Sequence, residues 1–524
     1  MIVRSRQVVP YEFDPRMPSA QVLAEYDARV LDPSTAMRIG DVKPHATVYV
    51  GSRLLLNTAA LPGDFNDVDR LIDEVAKGFG WTTESRPLRP DDSEQTVQVI
   101  EIRAVAEASE PPDAWKLLQT VRARRENKPT GLSLDHVMFA NPGFIGAPFH
   151  SSNPFHSSNP FHSSNSVNEG QALAGYGMQG GGGRQPVVWR GAGPVRQQEF
   201  TGRRPVVAIL DTGCGEHPWL DDIVTVGMQI DSTDIGETDP STDPERFGNL
   251  TGLLDGAIDP IAGHGTFIAG LVHQLCPDAD IIAIRVVHSD GVILESELIR
   301  ALTDLAALIK RHGDGLADGN IIDVLNLSMG YYHENPDDAL FDSPLLATLQ
   351  QMGDYGTVVV TSAGNDATAR RMFPAAFTPY AGGVVKAPSA DSVSVISVGA
   401  ENPNDSAALF SNAGAWVTCW EQGVSLVSTM PPFDGGAQPA TVTQPAGVRP
   451  NAPSIRESLD PDNYTAGFAV WSGTSFAAPI AAGRIAQRLI HEGLDQPEAL
   501  EVITPADARA RAWRAVTEIT GLAP

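Results

Sequence analysis

The sequence predicts an α/β protein with a mostly parallel sheet covered by helices on both faces, preceded by a small α+β domain. Two observations carry this prediction. From about residue 203, short apolar runs alternate with amphipathic helical patterns, the rhythm of a parallel sheet buried on both sides. Before residue 140, longer strand-like segments alternate with two helical stretches.

In the first part, ATVYVGSRLLLN (46–57) reads as a strand. Val68, Leu71, Ile72 and Val75 follow the i, i+3, i+4, i+7 spacing of a helix face. A weak strand near Trp81–Ser85, a clear one at 96–105, a second helical spacing at Ala114, Leu117, Leu118 and Val121, and a closing strand at 133–139 complete a βαββαβ order, which is ferredoxin-like. The expected boundaries are 1–145 for this domain, 146–202 for a flexible linker and 203–524 for the larger domain. PFHSSN occurs three times in tandem from Pro148 to Asn165, and QGGGGR follows at 179–184. Such composition buries no core. His150, His156 and His162 of the repeats are read as parts of a duplicated linker unit rather than metal ligands.

In the larger domain, PVVAIL (205–210) is a buried strand ending at Asp211. A helix is expected from His264 to Leu275, a strand at 280–287 and a long helix at 294–313. Strands are expected at 321–330, 357–365 and 392–400, and an Ala/Arg-rich helix from about 495 is given no chemistry. In sheets of this kind function collects at the carboxyl ends of strands, where Asp211 and Asn365 fall.

Composition narrows the function classes. The net charge of −27 disfavours nucleic acid and anionic membrane as partners. Residues 211–260 hold twelve Asp/Glu against one base, Arg246. A solvated acidic loop is the plain reading; a calcium ion there is an alternative that no motif places. Three cysteines, Cys214, Cys276 and Cys419, form neither a disulfide framework nor a zinc spacing. No apolar run is long enough to span a membrane, and the first residues lack an apolar leader, so a cytoplasmic protein is expected.

Four segments could together activate an alcohol for acyl transfer, which needs a nucleophile, a base, a group orienting the base and an oxyanion donor. Ser475 lies in WSGTSFAAP (471–479), where Gly473 and Thr474 are small and Pro479 falls in the first turns of a helix. His264 lies in GHGTFIAG (263–270), its flanking glycines expected to expose the imidazole at a helix start. Asp211 lies in VVAILDTG (206–213) at a strand end. Asn365 lies in SAGND (362–366), with a side-chain amide able to donate to an oxyanion. Taken singly, each has a bland reading: a capping serine, a structural histidine, an aspartic-peptidase-like DTG, a turn asparagine. A second DTG, which an aspartic peptidase would need, is absent.

Together these segments, in the order Asp, His, Ser, make residues 203–491 resemble the subtilisin-like serine peptidases. The resemblance implies an endopeptidase acting on protein or peptide substrates through an acyl-enzyme. Asp211 would orient His264, His264 would serve as base and then acid, and Ser475 would attack. Asn365 and the Ser475 N–H would form the oxyanion hole. It also implies substrate-binding walls at Ser328, Met329 and Gly330 and, opposite, at Ser362, Ala363 and Gly364. Phe373-Pro374 resembles the floor of the S1 pocket, and Met372 stands where a small residue is common, which predicts a shallow pocket. No cofactor is required. Residues 1–145 resemble a pro-domain in pattern, size and position, which implies an intramolecular inhibitor whose tail follows Phe139 near Ala140-Asn141-Pro142-Gly143. The long acidic stretch 221–262 and the Pro/Gly/Thr-rich stretch 432–468 depart from the family and leave substrate preference open. A catalytically silent relative would need a lost catalytic residue, and none is lost. An α/β-hydrolase esterase would need G-x-S-x-G and the order Ser, Asp, His, whereas residues 473–477 are GTSFA.

Overall fold

The computed structural model describes residues 18–38, 43–61, 63–89, 96–125, 130–140, 184–200, 202–251, 257–335, 344–436, 443–445, 455–457, 464–495 and 504–524. The PFHSSN repeats with their three histidines, and Asn141-Pro142-Gly143, lie outside the described residues.

The N-terminal unit runs β1 (Thr47–Asn57), α1 (Phe65–Gly78), β2 (Trp81–Pro87), β3 (Val97–Ala104), α2 (Ala114–Arg124) and β4 (Leu132–Phe139). The strands lie in the order β4-β1-β3-β2 with every neighbour antiparallel. Strand alternation sorts the side chains. Leu54 and Leu56 of β1 face the helices, packing with Val68 and Ile72 of α1 and Leu117 and Leu118 of α2. Leu55 points the other way and, with Val97, Val99 and Met138, joins a core of the larger unit. The N-terminal sheet is thus apolar on both faces because it is covered on both.

The larger unit is built on β5 (Val206–Asp211), β6 (Val224–Val226), β7 (Asp280–Arg285), β9 (Val324–Leu327), β11 (Val358–Ser362), β13 (Ile396–Glu401) and β14 (Cys419–Gln422), with the short β8 (Val292–Leu294), β10 (Tyr331–Tyr332) and β12 (Met372–Phe373) outside that sheet. The seven strands lie in the order β14-β13-β11-β9-β5-β7-β6, all parallel. One face carries α3 (His264–Leu275), α6 (Thr474–Asp495) and α7 (Pro505–Thr520), packed through Phe267, Val272, Phe476, Ile485 and Trp513. The other carries α4 (Glu295–Gly313) and α5 (Pro344–Asp354), packed through Leu298, Leu302, Leu345 and Leu349, and the N-terminal unit adds to this layer. The C-terminal helix is tied in by charge: Arg511 of α7 and Arg203 before β5 both donate to the buried Asp323 carboxylate, at 3.1, 2.6 and 2.9 Å.

The two units share a sheet. β8 pairs antiparallel with β4, in the register Val292–Phe139, Ile293–Met138 and Leu294–Val137. Ala140 N extends this ladder by donating to Gly291 O at 2.9 Å, while on the other side of β4 Phe139 N donates to Gly330 O and Gly330 N to Phe139 O, both at 3.1 Å.

Two expectations need correction. The flexible linker does not extend to residue 202. Arg184 is buried and donates to the carbonyls of Asp259, Pro260 and Ala262 at 2.9, 3.2 and 2.7 Å, with its guanidinium 4.9 Å from the Trp471 ring. Gln185–Pro186 pairs with Ala469 and Val470 of the strand Phe468–Trp471. A charged, many-donor side chain that finds three buried carbonyls fixes the backbone that a Gly-rich context would leave free. The strand expected over 321–330 forms only at Val324–Leu327, because the chain beyond it pairs elsewhere, Gly330 with Phe139 and Tyr331–Tyr332 with Met372–Phe373.

Candidate active site

β5 carries Asp211 to the carboxyl edge of the sheet, where it is fully buried. Its Oδ1 accepts from Thr212 N at 2.9 Å and from His264 Nδ1 at 2.6 Å, with Thr212 Oγ1 3.2 Å away. A carboxylate only accepts, so the bond places a proton on Nδ1 and leaves the lone pair on Nε2.

The glycines flanking His264 act by close approach rather than by exposing the ring, as the sequence had suggested. Gly263 caps α3 with φ +81°, and a Cβ there would lie 2.4 Å from Met430 Sδ. A Cβ on Gly265 would lie 2.1 Å from Gly213 O. The helix start is therefore pressed against the turn after Asp211, which brings His264 into reach. His264 is fully buried, its ring 5.6 Å from Trp471 and 5.1 Å from Phe476, and Ser475 is 1% exposed. The serine is as enclosed as the histidine.

Ser475 is the second residue of α6. Pro479 is the sixth, deeper in the helix than the position where proline is innocuous. Having no N–H, it cannot bond Ser475 O, and that carbonyl instead accepts from Ser328 Oγ at 3.0 Å. Ser328 Oγ in turn accepts from Asn326 Nδ2 at 3.0 Å. His264 Nε2 and Ser475 Oγ are both buried and neither makes a hydrogen bond. The Ser475 N–H lies in the first turn of α6, where a helix supplies no acceptor of its own.

Asn365 follows β11. Its Oδ1 accepts from both Thr474 N and Thr474 Oγ1 at 2.9 Å, while Gly364 N donates to Thr474 Oγ1 at 3.1 Å. A backbone N–H can only donate, so these bonds fix the amide orientation and keep Nδ2 as the donor end. Thr474, read only as small, is the clip between Asn365 and the serine helix.

The walls also meet here. Ser328, Met329 and Gly330 are reached from β9, and Ser362, Ala363 and Gly364 from β11. The Ala363 backbone is already bonded within the protein, its N–H to Val398 O and its carbonyl from Asn412 Nδ2, both at 2.9 Å. Gly330 has its pairing edge occupied by Phe139. Between the two walls lies the Met372 thioether: a Cβ on Gly330 would fall 2.7 Å from Met372 Cε, and one on Gly364 2.6 Å from Met372 Sδ.

One group was not singled out from the sequence. Glu245, in the acidic stretch, is buried beside the Asp211–His264 pair. It accepts from Thr212 Oγ1, from Gly265 N at 3.0 Å and from Thr266 Oγ1 at 2.5 Å. Burial pushes its carboxyl up to about 8, against the pull of the two threonine hydroxyls. The three cysteines are unpaired, and burial raises their thiols, Cys276 and Cys419 each to about 12, so they are poor nucleophiles. Among the described residues, no three acidic groups of 221–262 come close enough to share a metal ion.

Residues 202–517 match the Subtilase family. The chain is 28% identical to a thermophilic serine proteinase of Bacillus sp. (strain AK1) over 229 residues, 43% of this chain and 45% of that protein. It is 25% identical to an intracellular serine protease of Paenibacillus polymyxa over 316 residues, 57% of this chain and 69% of that protein. It is 27% identical to subtilisin E of Bacillus subtilis (strain 168) over 257 residues, 47% of this chain and 54% of that protein. The matched part thus spans about half the length of two of these curated relatives. Fervidolysin from Fervidobacterium pennivorans, a solved structure, aligns with a TM-score of 0.44 and 17% identity over 88% of this chain and 57% of that one. With a match covering more than half of the sequence, the chain belongs to the subtilase family.

Proposed function

We propose that this chain is a serine endopeptidase that cleaves protein or peptide substrates through an acyl-enzyme. The observation that carries the reading is the Asp211–His264 bond of 2.6 Å, which leaves the Nε2 lone pair as a base, with Ser475 Oγ buried and unbonded on the neighbouring helix. Ser475 Oγ attacks the scissile carbonyl and passes its proton to Nε2, and Asp211 stabilises the imidazolium that forms. Asn365 Nδ2 and the Ser475 N–H meet the oxyanion. Collapse expels the amine, which takes the proton from Nε2, and water then releases the acyl group by the reverse roles. Residues 328–330 and 362–364 flank the substrate, and Met372 between them favours a small side chain before the cleaved bond.

The N-terminal unit acts in this reading as an intramolecular inhibitor. The pairing of Phe139 with Gly330 and of β4 with β8 supports it, since both are edges an extended substrate would use. Unpaired thiols suit a reducing cytoplasm. No helix among the described residues is long and apolar enough to cross a membrane.

The test compares Ser475→Ala with the unaltered chain, as residues 1–524 and as residues 184–524, by fluorophosphonate labelling and casein digestion. Loss of both in the variant, on the order of 10⁶ in turnover, is expected. Casein cleavage that survives the substitution refutes the assignment.

A further inference from the structure

The junction between the two units holds a buried cluster that the hydrolytic site does not use. His136 stands on β4 of the N-terminal unit, while Glu295, His333 and Glu334 belong to the larger unit. All four side chains are at most 5% exposed. His136 Nδ1 lies 2.6 Å from Glu295 Oε2, and Tyr331 OH donates to Glu295 Oε1 at 3.1 Å. His136 Nε2 lies 2.9 Å from Glu334 Oε2, and His333 Nδ1 lies 3.7 Å from the same oxygen. Donor atoms of His136, His333 and Glu334 fall within 4.8 Å of one another.

We propose that His136, His333 and Glu334 form a binding site for one divalent transition-metal ion of the zinc class, which staples the N-terminal unit to the larger one. Glu295 holds the Nδ1 proton of His136 and so points the Nε2 lone pair at the ion, the arrangement in which a carboxylate orients a metal-bound histidine. Tyr331 fixes Glu295 from behind. His333 is in the form a ligand requires: Asn335 N donates to its Nδ1 at 2.9 Å, so that atom carries a lone pair. Coordination through Nδ1 exchanges the Asn335 bond for the ion. Glu334 brings a buried oxygen, Oε1, that has no hydrogen-bond partner. Two imidazoles and one carboxylate are a donor set that zinc accepts readily, and calcium, which takes six or more oxygens, does not.

The metal replaces a proton. Without it, His136 bridges two carboxylates, Nδ1 to Glu295 Oε2 and Nε2 to Glu334 Oε2. Binding displaces the Nε2 proton to solvent, one proton per ion, and turns the contact with Glu334 from a hydrogen bond into shared coordination. The ligands come from both units, so the ion binds the docked arrangement and stabilises it by mass action.

The experiment uses the full chain carrying Ser475→Ala, untagged and freed of metal, titrated with Co²⁺ and followed by visible absorption, then competed with Zn²⁺. One Co²⁺ per chain is expected, displaced by one Zn²⁺, with a rise in melting temperature that EDTA reverses and Ca²⁺ does not restore. Glu295→Gln should weaken Co²⁺ binding by about 10–100-fold, and His136→Gln should abolish it. Replacing His150, His156 and His162 together by Asn should leave it unchanged. Failure of the unaltered site to bind Co²⁺, or loss of binding with the His150/His156/His162 variant rather than with His136→Gln, would overturn the proposal and leave an ion-pair lock.

Discussion

Replacing Glu245 by Gln should remove a share of the pH dependence of stability between pH 5 and 9 that can be worked out for this one group. In the folded chain burial raises this carboxyl from 4.5 to about 8. The fold therefore holds the proton more tightly than the unfolded chain does. The associated stability is fully present below pH 4.5 and is lost as pH rises through 8. At about 1.4 kcal/mol per pH unit, the interval amounts to on the order of 5 kcal/mol. At about 2 °C per kcal/mol for a large domain, that is a fall of roughly 10 °C. Glutamine keeps an oxygen for Thr212 and Gly265, turns its amide N–H toward Thr266 Oγ1, and cannot ionise. The assay is thermal melting from pH 5 to 9 of Ser475→Ala chains with Glu or Gln at 245, the serine change preventing self-digestion. The difference between the two curves isolates this group, since the other titrating groups are common to both. Parallel curves across the range would refute the argument and mean that the carboxyl is ionised throughout, held by its three donors and the start of α3.

Asn365→Leu should lower kcat by about 10²–10³ with KM little changed. Because Asn365 Oδ1 accepts two buried donors of Thr474, it should also lower the melting temperature, unlike Ser475→Ala; a pure KM effect would make Asn365 a binding residue. Met372→Gly should open the slot between Gly330 and Gly364 and raise the kcat/KM ratio of Phe over Ala before the cleaved bond by at least about tenfold, read on matched peptides; an unchanged ratio removes Met372 from the pocket. Residues 1–145, added to residues 184–524, should inhibit at submicromolar concentration; a peptidase that works equally well in their presence excludes the inhibitor role.

The triad candidates were legible because each sits in a segment whose local chemistry is distinctive: a strand running into Asp211, glycines flanking His264, and a serine in the first turn of a helix that contains proline. What those segments did not reveal was their enclosure. Trp471 and Phe476 cover His264 only once α3 and α6 pack, a tertiary effect that a reading of neighbours along the chain misses. Glu245 was hidden by its surroundings, since a carboxylate in an acidic run looks like its solvated neighbours until burial separates it. His136 was invisible for the opposite reason: its partners lie 159 and 198 residues away. Arg184 was absorbed into a Gly-rich stretch although its donors meet three carbonyls around residue 260. The element order survived the passage to structure well, because periodicity is local. The strand ends did not, since residues such as Gly330 leave the sheet to pair with a strand of the other unit.

Pro479 has a consequence for how force passes through the molecule. The helix bond it forgoes is re-made sideways, by Ser328 Oγ to Ser475 O, so the strand that would grip a peptide and the residue that would attack it are joined by a single O–H···O link. Tension along residues 328–330 would therefore reach the peptide unit of Ser475, the proposed nucleophile, through this bond. An extended chain that seats imperfectly would drag Ser475 with it, and one that seats well would hold it still. On the proposed function, register errors in a bound chain would thus become errors of aim at the hydroxyl, and fidelity of cleavage would be tied to one bond at the start of a helix.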